Sequence, residues 1–298
     1  MKNRNINYKK TIPKLLIALV LGCFSLSPAV QATSDSRQPK KFTQIDVPGA
    51  IFTAANGINA RGDIVGLYLD TSNRVHGFLL SKGRFTTIDP PGANLTVAFH
   101  INPDGVITGA YRTSNGSIHG FLLSNGEFIT IQKTGTTFTV LDGINPKGDI
   151  TGEYRDSSDN IHSFLLSNNT FMAIVKPGAA LTDVEGINPQ GDIVGFYIDG
   201  SGNNHGLLFS KGNFTTIDVP GAAQTYGCFG INPRGDIVGV TIDSSGNDHG
   251  FLLSEGNFTA IDVPGAGSTD ANDINPRGDI VGDYFDSNGD EHGFLLSK

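Results

Sequence analysis

The sequence contains no tryptophan and only two cysteines among its 298 residues. The lack of tryptophan weakens the case for a stacked sugar-binding platform, although Tyr226 and several phenylalanines remain. Cys23 lies in the N-terminal apolar stretch, so Cys228 is the one thiol of the remaining chain and has no partner for an internal disulfide. We therefore expect packing to hold the fold together.

Other common patterns are also missing. No basic patch occurs, and beyond residue 32 only 16 of the 21 Lys and Arg residues remain against 29 Asp and Glu, which argues against nucleic acid as a partner. The N-terminal apolar core is too short to span a membrane, and no second apolar stretch follows it, so no transmembrane segment is predicted. No Ser-His-Asp arrangement, metal triad or phosphate loop is evident, so the pattern favours a binding protein over an enzyme.

The first 32 residues resemble a secretory signal peptide. Five basic residues precede or flank the apolar core Leu15–Leu21, and Val30-Gln31-Ala32 offers small residues at the positions that a signal peptidase requires. We therefore expect a secreted or periplasmic protein cleaved near Ala32, with residues 33–41 as a polar linker. The alternative is a lipid anchor on Cys23, within Val20-Leu21-Gly22-Cys23.

One ten-residue phrase recurs throughout the rest of the chain. It reads Gly-Ile-Asn-Pro-Arg-Gly-Asp-Ile-Val-Gly at 230–239, and related copies lie at 57–66, 100–109, 143–152, 186–195 and 273–282. The repeat units begin at residues 42, 85, 128, 171, 214 and 258, so the spacing is 43 residues except for a final 44. A period of this size indicates a propeller or a solenoid.

Each unit divides into four short strands separated by turn residues. In the first unit the expected strands are Thr53–Asn59, Ile64–Asp70, His76–Ser81 and Phe85–Asp89. The repeat region begins with a fourth strand at 42–46 and ends after a third strand at 292–297, and pairing these two would close a ring without a bare edge. The sequence therefore predicts an all-β fold over 42–298: a six-bladed β-propeller of four-stranded antiparallel blades, closed by strand 42–46 pairing with the C-terminal strands.

Three short motifs make the pattern more specific. His-Gly-Phe occurs at 76, 119, 249 and 292, and it accompanies Ile-Asn-Pro-x-Gly-Asp and Asp-Val-Pro-Gly-Ala. In these features residues 42–298 resemble the bacterial extracellular HAF-repeat family, although Gly replaces the Ala of the family's His-Ala-Phe triplet. The resemblance implies export and a propeller-like repeat, and it implies no activity or catalytic residue.

Most recurring polar residues have a structural interpretation. The repeated Asn of the phrase precedes a tight turn and can cap its backbone. Six of the seven histidines occupy one repeat position, which places them on six separate blades and argues against a shared metal site. No cofactor is predicted; the turn Asp286–Glu291 resembles the start of a calcium loop, but it lacks a bidentate Glu at the right distance.

Function is better sought where the copies differ. If the first strand of each blade is innermost, the two residues before the recurrent Ile approach the central channel. The candidate ligand-binding residues are His100, Asp142, Glu185, Tyr226, Asn272 and Asp273. Tyr226 belongs to the segment 226–229 that carries the inserted residue of the fifth unit, which indicates a bulge or a pocket.

Two functions follow from this arrangement. The first is an extracellular binding or scaffold propeller that uses one loop face, with an extracellular protein, a glycan or a small polar ligand as partner. The alternative is a propeller enzyme, a lyase or hydrolase, in which acidic channel residues supply a general acid and base. No catalytic residue is assigned, and a nucleophilic Cys228 would need His100 as its base.

Overall fold

The computed structural model describes residues 41–297. The predicted signal peptide, its expected cleavage near Ala32, the alternative lipid anchor on Cys23 and the predicted linker up to residue 40 lie outside the described residues. Every regular element within 41–297 is a β-strand, and this range holds no helix long and apolar enough to cross a membrane.

The described chain contains 24 strands. In chain order they are β1 Lys41–Ile45, β2 Phe52–Ile58, β3 Ile64–Leu69, β4 Val75–Ser81, β5 Arg84–Ile88, β6 Ala93–Ile101, β7 Ile107–Thr113, β8 Ile118–Ser124, β9 Glu127–Ile131, β10 Thr139–Ile144, β11 Ile150–Arg155, β12 Ile161–Ser167, β13 Thr170–Ala173, β14 Leu181–Ile187, β15 Ile193–Ile198, β16 Asn204–Ser210, β17 Asn213–Ile217, β18 Gln224–Ile231, β19 Ile237–Ile242, β20 Asp248–Ser254, β21 Asn257–Ile261, β22 Ser268–Ile274, β23 Ile280–Phe285 and β24 Glu291–Ser297.

These strands form six four-stranded antiparallel blades. Blades 1 to 5 each take four consecutive strands, beginning with β2, β6, β10, β14 and β18. Blade 6 combines β22, β23 and β24 with β1, and the register of its closing pair runs from Lys41 opposite Ser297 to Ile45 opposite Gly293. The predicted six-bladed propeller and its closure by the N-terminal strand are therefore confirmed, with strand bounds within about one residue of the structure.

The first strand of every blade lies at the centre. The strands β2, β6, β10, β14, β18 and β22 contact one another in turn, and β22 contacts β2, so they form a closed inner ring. The prediction that the first strands are innermost is confirmed. Side chains that leave these strands near the axis are thus brought together from six repeats.

The blade cores repeat the same packing. The Phe of the His-Gly-Phe triplet is fully buried in five blades, represented by Phe78, and Leu207 takes its place in blade 4. Burial of each such side chain contributes about 1.5–3 kcal/mol. Gly66 faces this Phe, and a Cβ at Gly66 would lie 2.0 Å from the Ala54 carbonyl oxygen and 2.8 Å from the Phe78 ring. Glycine is therefore required where the inner and second strands approach most closely.

The recurring Asn links the blades as well as capping its own turn. The Asn59 side chain accepts hydrogen bonds from the amides of Arg61 and Asp63 and donates one to the Asn102 carbonyl of the next blade. Equivalent links of 3.3–3.5 Å join every neighbouring pair of blades except 4 and 5 within the described range. The predicted turn cap is present, and its side chain also links five of the six neighbouring pairs of blades.

The repeated His also has a structural place. His76 donates to Asp89 at 2.7 Å, lies 3.3 Å from Asp70, and stacks on Tyr68 with ring centroids 5.1 Å apart. Its equivalents make matching contacts with Asp or Gln at the end of the fourth strand or with Asp of the preceding turn. In five blades these histidines join the third strand to the end of the fourth, whereas His162 of blade 3 bonds to Asp156 of the preceding turn, so the structural interpretation holds.

Candidate functional site

A β-bulge interrupts the inner strand of every blade at the same place. The ladder between the first and second strands skips one or two residues there, immediately before the recurrent Ile. A bulge bends its strand and redirects side chains. The first skipped residue in each blade is Asn56, Phe99, Asp142, Glu185, Phe229 or Asn272.

The two bulge asparagines bind the neighbouring inner strand. Asn56 donates to the Ala98 carbonyl at 2.9 Å, and Asn272 donates to the Ala55 carbonyl at 3.1 Å and to Asp283 at 2.8 Å. Asp142 and Glu185 occupy the equivalent position with carboxyl groups, which lack such a donor when ionised. In blades 1 and 6 the bulge residue therefore hydrogen-bonds one inner strand to the next, whereas in blades 3 and 4 the same position carries a carboxyl group.

His100 and Asp273 meet near the axis. Asp273 is almost fully buried, accepts hydrogen bonds of 2.8 Å from the amides of Ile58 and Ile274, and lies 3.4 Å from Nε2 of His100. Burial raises the pKa of Asp273, while the nearby His100 and the two amides lower it. Because the contact joins blades 2 and 6 across blade 1, this pair chiefly ties inner strands together.

The inserted residue of the fifth unit is Tyr226. The ladder of blade 5 carries an extra bulge between Thr225 and Gly227 that leaves Tyr226 unpaired. Its half-buried ring stacks on Phe196 of blade 4, with centroids 6.2 Å apart and planes 15° apart. The insertion therefore places an aromatic side chain at the interface between blades 4 and 5.

Acidic residues replace apolar ones at three further repeat positions. In blades 1 and 2 the positions are filled by Ala54, Leu67, Val75 and their equivalents Val97, Ala110 and Ile118, which belong to apolar clusters. In blades 3 to 6 the same positions bring in Glu153, Asp183, Asp248, Asp270, Asp283 and Glu291. Together with the bulge residues Asp142 and Glu185, we name these eight side chains the acidic layer.

The layer divides into two groups of four. The blade 3–4 group comprises Asp142, Glu153, Asp183 and Glu185. Burial raises the pKa of each of them, to about 7 for Asp183 and well above the ordinary range for the other three, whose pKa values are also raised by their carboxyl neighbours. Ser163 donates to Asp183 at 3.3 Å, and the charge of Arg155 lowers the pKa of Glu153.

The blade 5–6 group comprises Asp248, Asp270, Asp283 and Glu291. Burial raises the pKa of all four, to about 7 for Asp283 and to about 10 for Glu291. Mutual repulsion adds to the effect at Asp270, Asp283 and Glu291. Each group therefore favours either bound protons or a bound positive charge.

Several carboxylate oxygens of the layer lack a hydrogen-bond partner. They are Oε1 of Glu185, Oδ1 of Asp270 and Oε1 of Glu291, all buried. Glu291 is only 6% exposed. Buried polar atoms in folded proteins nearly always have partners, so three orphaned acceptors in one layer point to a missing donor.

Tyr226 lies between the two groups. Burial raises the pKa of its hydroxyl to about 12, with further contributions from Asp248 and Asp270 on one side and Glu185 and Asp183 on the other. Asp183, Tyr226 and Asp270 each lie third in their inner strands, shortly after the Val-Pro-Gly-Ala-type connectors, whereas Glu185 lies nearer the other end of its strand. The two groups and the tyrosine at the interface of blades 4 and 5 are therefore linked electrostatically, and together we call them the lining.

Two alternatives from the sequence receive a structural explanation. Cys228 is fully buried in an apolar cluster with Val194 and Phe251, and burial raises the pKa of its thiol to about 12, so it fits a packing role. Asp286, at the start of the calcium-like turn, accepts hydrogen bonds from the amides of Asn288 and Asp290 in an ordinary turn. Within residues 41–297 no group of three or more His, Cys, Asp or Glu is arranged to hold a metal ion.

Sequence reasoning found part of this lining. It named Asp142, Glu185 and Tyr226, which lie in or beside the acidic groups, whereas His100 and Asp273 pair elsewhere near the axis. It missed Glu153, Asp183, Asp248, Asp270, Asp283 and Glu291. A comparison of the repeats at every position would have shown these six, because acids there replace apolar residues of blades 1 and 2.

Comparison with solved structures supports the fold. TolB from Acinetobacter baumannii is similar at 12% identity with a TM-score of 0.53, over 85% of this chain and 65% of that one. A TolB candidate from Agrobacterium tumefaciens is similar at 15% identity with a TM-score of 0.55, over 88% and 92%. AofleA from Arthrobotrys oligospora gives 11% identity and 0.50, over 88% and 84%. No protein-family model and no curated protein matches the chain.

Proposed function

We propose that this protein is an exported binding protein that takes a positively charged ligand at the acidic layer. The observation that carries the proposal is the replacement of apolar residues by acids at equivalent positions in the later blades. The fold does not need those acids, because blades 1 and 2 pack with alanine, valine, leucine and isoleucine at the same positions.

The energetics point the same way. Burial of several carboxyl groups side by side costs stability unless protons or cations neutralise them. Residues that lower stability without serving the fold are typical of functional sites. A cationic ligand would supply the hydrogen-bond donors that Glu185, Asp270 and Glu291 lack. The ligand itself would be a small polar molecule or an exposed cationic group of an extracellular partner.

Thermal unfolding of the secreted protein tests the proposal. We expect ammonium compounds to raise the melting temperature, and neutral oligosaccharides of similar size to leave it unchanged. Combined in one chain, the variants Asp183→Val and Asp283→Val should abolish the response, and each alone should weaken it, because they introduce the residue that the chain already has at the equivalent positions Val97 and Val240. An unchanged response in both variants would reject the acidic layer as the site.

An enzyme remains the second candidate, favoured by one observation. The pKa values of Asp183 and Asp283 are both about 7, because burial disfavours their ionised forms. Such values suit general acid–base catalysis near neutral pH. A lyase or hydrolase of this kind would lose turnover in Asp183→Asn and Asp283→Asn while its fold and ligand binding persisted; a binding protein has no turnover to lose.

A further inference from the structure

We propose that the ligand is a linear diammonium compound that lies across Tyr226, with one amine end at the blade 3–4 group and the other at the blade 5–6 group. This inference rests on the proposed function and names the class of its ligand. It follows from the division of the layer into two groups, from the orphaned oxygens and from the aromatic residues between them.

Each group calls for a cation of its own. The blade 3–4 group has Arg155 beside Glu153, but Nη1 of Arg155 pairs with Asp159 at 3.0 Å, its guanidinium lies over the Phe138 ring, and its buried Nε donates to none of the carboxyl groups. In the blade 5–6 group, His249 lowers the pKa of Asp248, yet its ring is bonded to Asp262 at 2.9 Å. Four carboxyl groups therefore share little compensating charge on either side.

The orphaned oxygens show what kind of atom is missing. Oε1 of Glu291 has no partner although the residue is only 6% exposed, and the charges of Asp283 and Asp270 act on this carboxyl. Oε1 of Glu185 is the matching orphan of the other group. An ammonium group carries three donors and no acceptor, so it complements such acceptor-only surroundings.

The middle of the lining is aromatic. Tyr226 stacks on Phe196, and the charges of both acidic groups act on its hydroxyl. Phe229, the bulge residue of the same strand, is also half-buried. An alkyl chain would cover these rings, and the adjoining ammonium groups would be attracted to their faces. A ligand with two positively charged ends and an apolar middle matches this arrangement of an acidic group, aromatic rings and a second acidic group.

A lone inorganic cation matches it less well. The carboxyl groups of residues 41–297 are not arranged as metal ligands, and a single ion would leave the second group uncompensated. A compound with one amine would do the same. The two-group arrangement therefore predicts that a second amine strengthens binding by acting at high effective concentration.

Calorimetry with matched probes tests this inference. We expect 1,4-diaminobutane or a longer α,ω-diamine to bind roughly 10- to 100-fold more tightly than 1-aminobutane, with an optimum in chain length. Equal affinity of mono- and diamines would overturn the diammonium inference but leave the proposed function standing. If neither amines nor calcium or magnesium chloride bind, both proposals fail.

Variants locate the two ends. Asp183→Val alone and Asp283→Val alone should each reduce the diamine's affinity to about that of the monoamine, and Tyr226→Ser should weaken the diamine while sparing the fold. Asp104→Asn, an exposed acid in a turn of blade 2 and outside the layer, is the control and should bind normally. If either valine variant, folded by circular dichroism, binds the diamine as tightly as the wild type, that group does not hold an amine and the inference is overturned.

Discussion

Asp283 occupies a repeat position at which blade 5 has Val240 and blade 1 has Leu67, so a single residue separates a packed interface from an acidic one. Both valine and aspartate are nearly fully buried there. The acid receives one side-chain hydrogen bond, from Asn272 at 2.8 Å, and faces other carboxyl groups. At the residue scale, the layer arises from single replacements of apolar residues by acids, and the backbone at these positions accommodates either kind of side chain.

We predict that Asp283→Val raises the free energy of unfolding at neutral pH by about 1–4 kcal/mol, because an apolar side chain replaces a buried, poorly compensated carboxyl group. Asn272 keeps its bond to the Ala55 carbonyl. The matched control Val240→Asp should lower the free energy by about 3–5 kcal/mol. Urea denaturation measures both, and a destabilised Asp283→Val protein would contradict the interpretation.

At the element scale, the inner strand of blade 5 differs from its five equivalents by one residue. Its second bulge releases Tyr226 from the ladder, and the pairs on either side, Thr225 with Thr241 and Gly227 with Val240, keep the register of the other blades. The insertion therefore adds a side chain to the lining without altering how the blade pairs.

Deletion of Tyr226 should consequently leave the propeller folded. In the shortened strand Gly227 would directly follow Thr225, as Ala54 follows Thr53 in blade 1, so the pairing with the second strand would match that of the other blades. We expect a stability change of less than about 1.5 kcal/mol, together with a weaker thermal response to diamines. Deletion of Val238 from the adjacent strand is the control, since it would reverse every following side chain and unfold the blade. An unfolded Tyr226 deletion would show that the bulge is structural.

The repeats made the elements predictable and left the site partly hidden. Six copies of one hydrophobic pattern over-determine the strands, so the sequence alone places Ile64 and its equivalents on the second strand of each blade. Asp183 and Glu153 lie on different strands of neighbouring blades, and their proximity depends on how the twisted blades pack together. That packing is a property of the ring, which no single repeat encodes, although the exchange of Val97 for Asp183 was visible in the sequence.

At the scale of the whole molecule, one strand closes the ring. The β1 strand pairs with β24 over five residues, and Phe42 packs edge-on against Phe294 at 5.5 Å. Without β1, the third strand of blade 6 would become a bare edge. Closure therefore depends on two chain segments that are far apart in sequence.

Removal of residues up to Asp46 should abolish folding or cause self-association through β24. A circular permutant tests whether the strand itself or its position in the chain matters. Joining Ser297 to Lys41 through Lys-Gly reproduces the turn between Ser81 and Arg84 of blade 1, and new ends can lie in the 47–51 connector. We expect the permutant to melt within a few degrees of the wild type. A much lower melting temperature would contradict the view that the pairing of β1 with β24 is enough to close the ring, whatever the order of the strands in the chain.

Stability should also depend on pH in an unusual direction. Burial raises the pKa of Asp183 and Asp283 to about 7, so unfolding releases protons from these groups, and their contribution to stability falls as pH rises from about 4 to about 7. The pKa of His205 is raised by Asp218 and Asp199 against the opposing effect of burial, so its contribution is also lost with rising pH above about 6.5.

The turn carboxylates act in the opposite direction at lower pH. Hydrogen bonds lower the pKa of Asp243 to about 2, so its stabilisation is lost as pH falls below about 4. We therefore predict maximal stability at about pH 4–5, measured by urea denaturation across the pH range. The double variant Asp183→Val with Asp283→Val should flatten the fall between pH 4 and 7.

The central claim is that the acidic layer costs the fold stability in exchange for binding a cationic ligand. The most direct test measures the melting temperature of the wild type and of the Asp183→Val, Asp283→Val double variant at neutral pH, with and without 1,4-diaminobutane. The account predicts that the variant melts higher than the wild type without the diamine and does not respond to it, while the wild type does. A variant that melts lower, or that responds as the wild type does, would contradict the account.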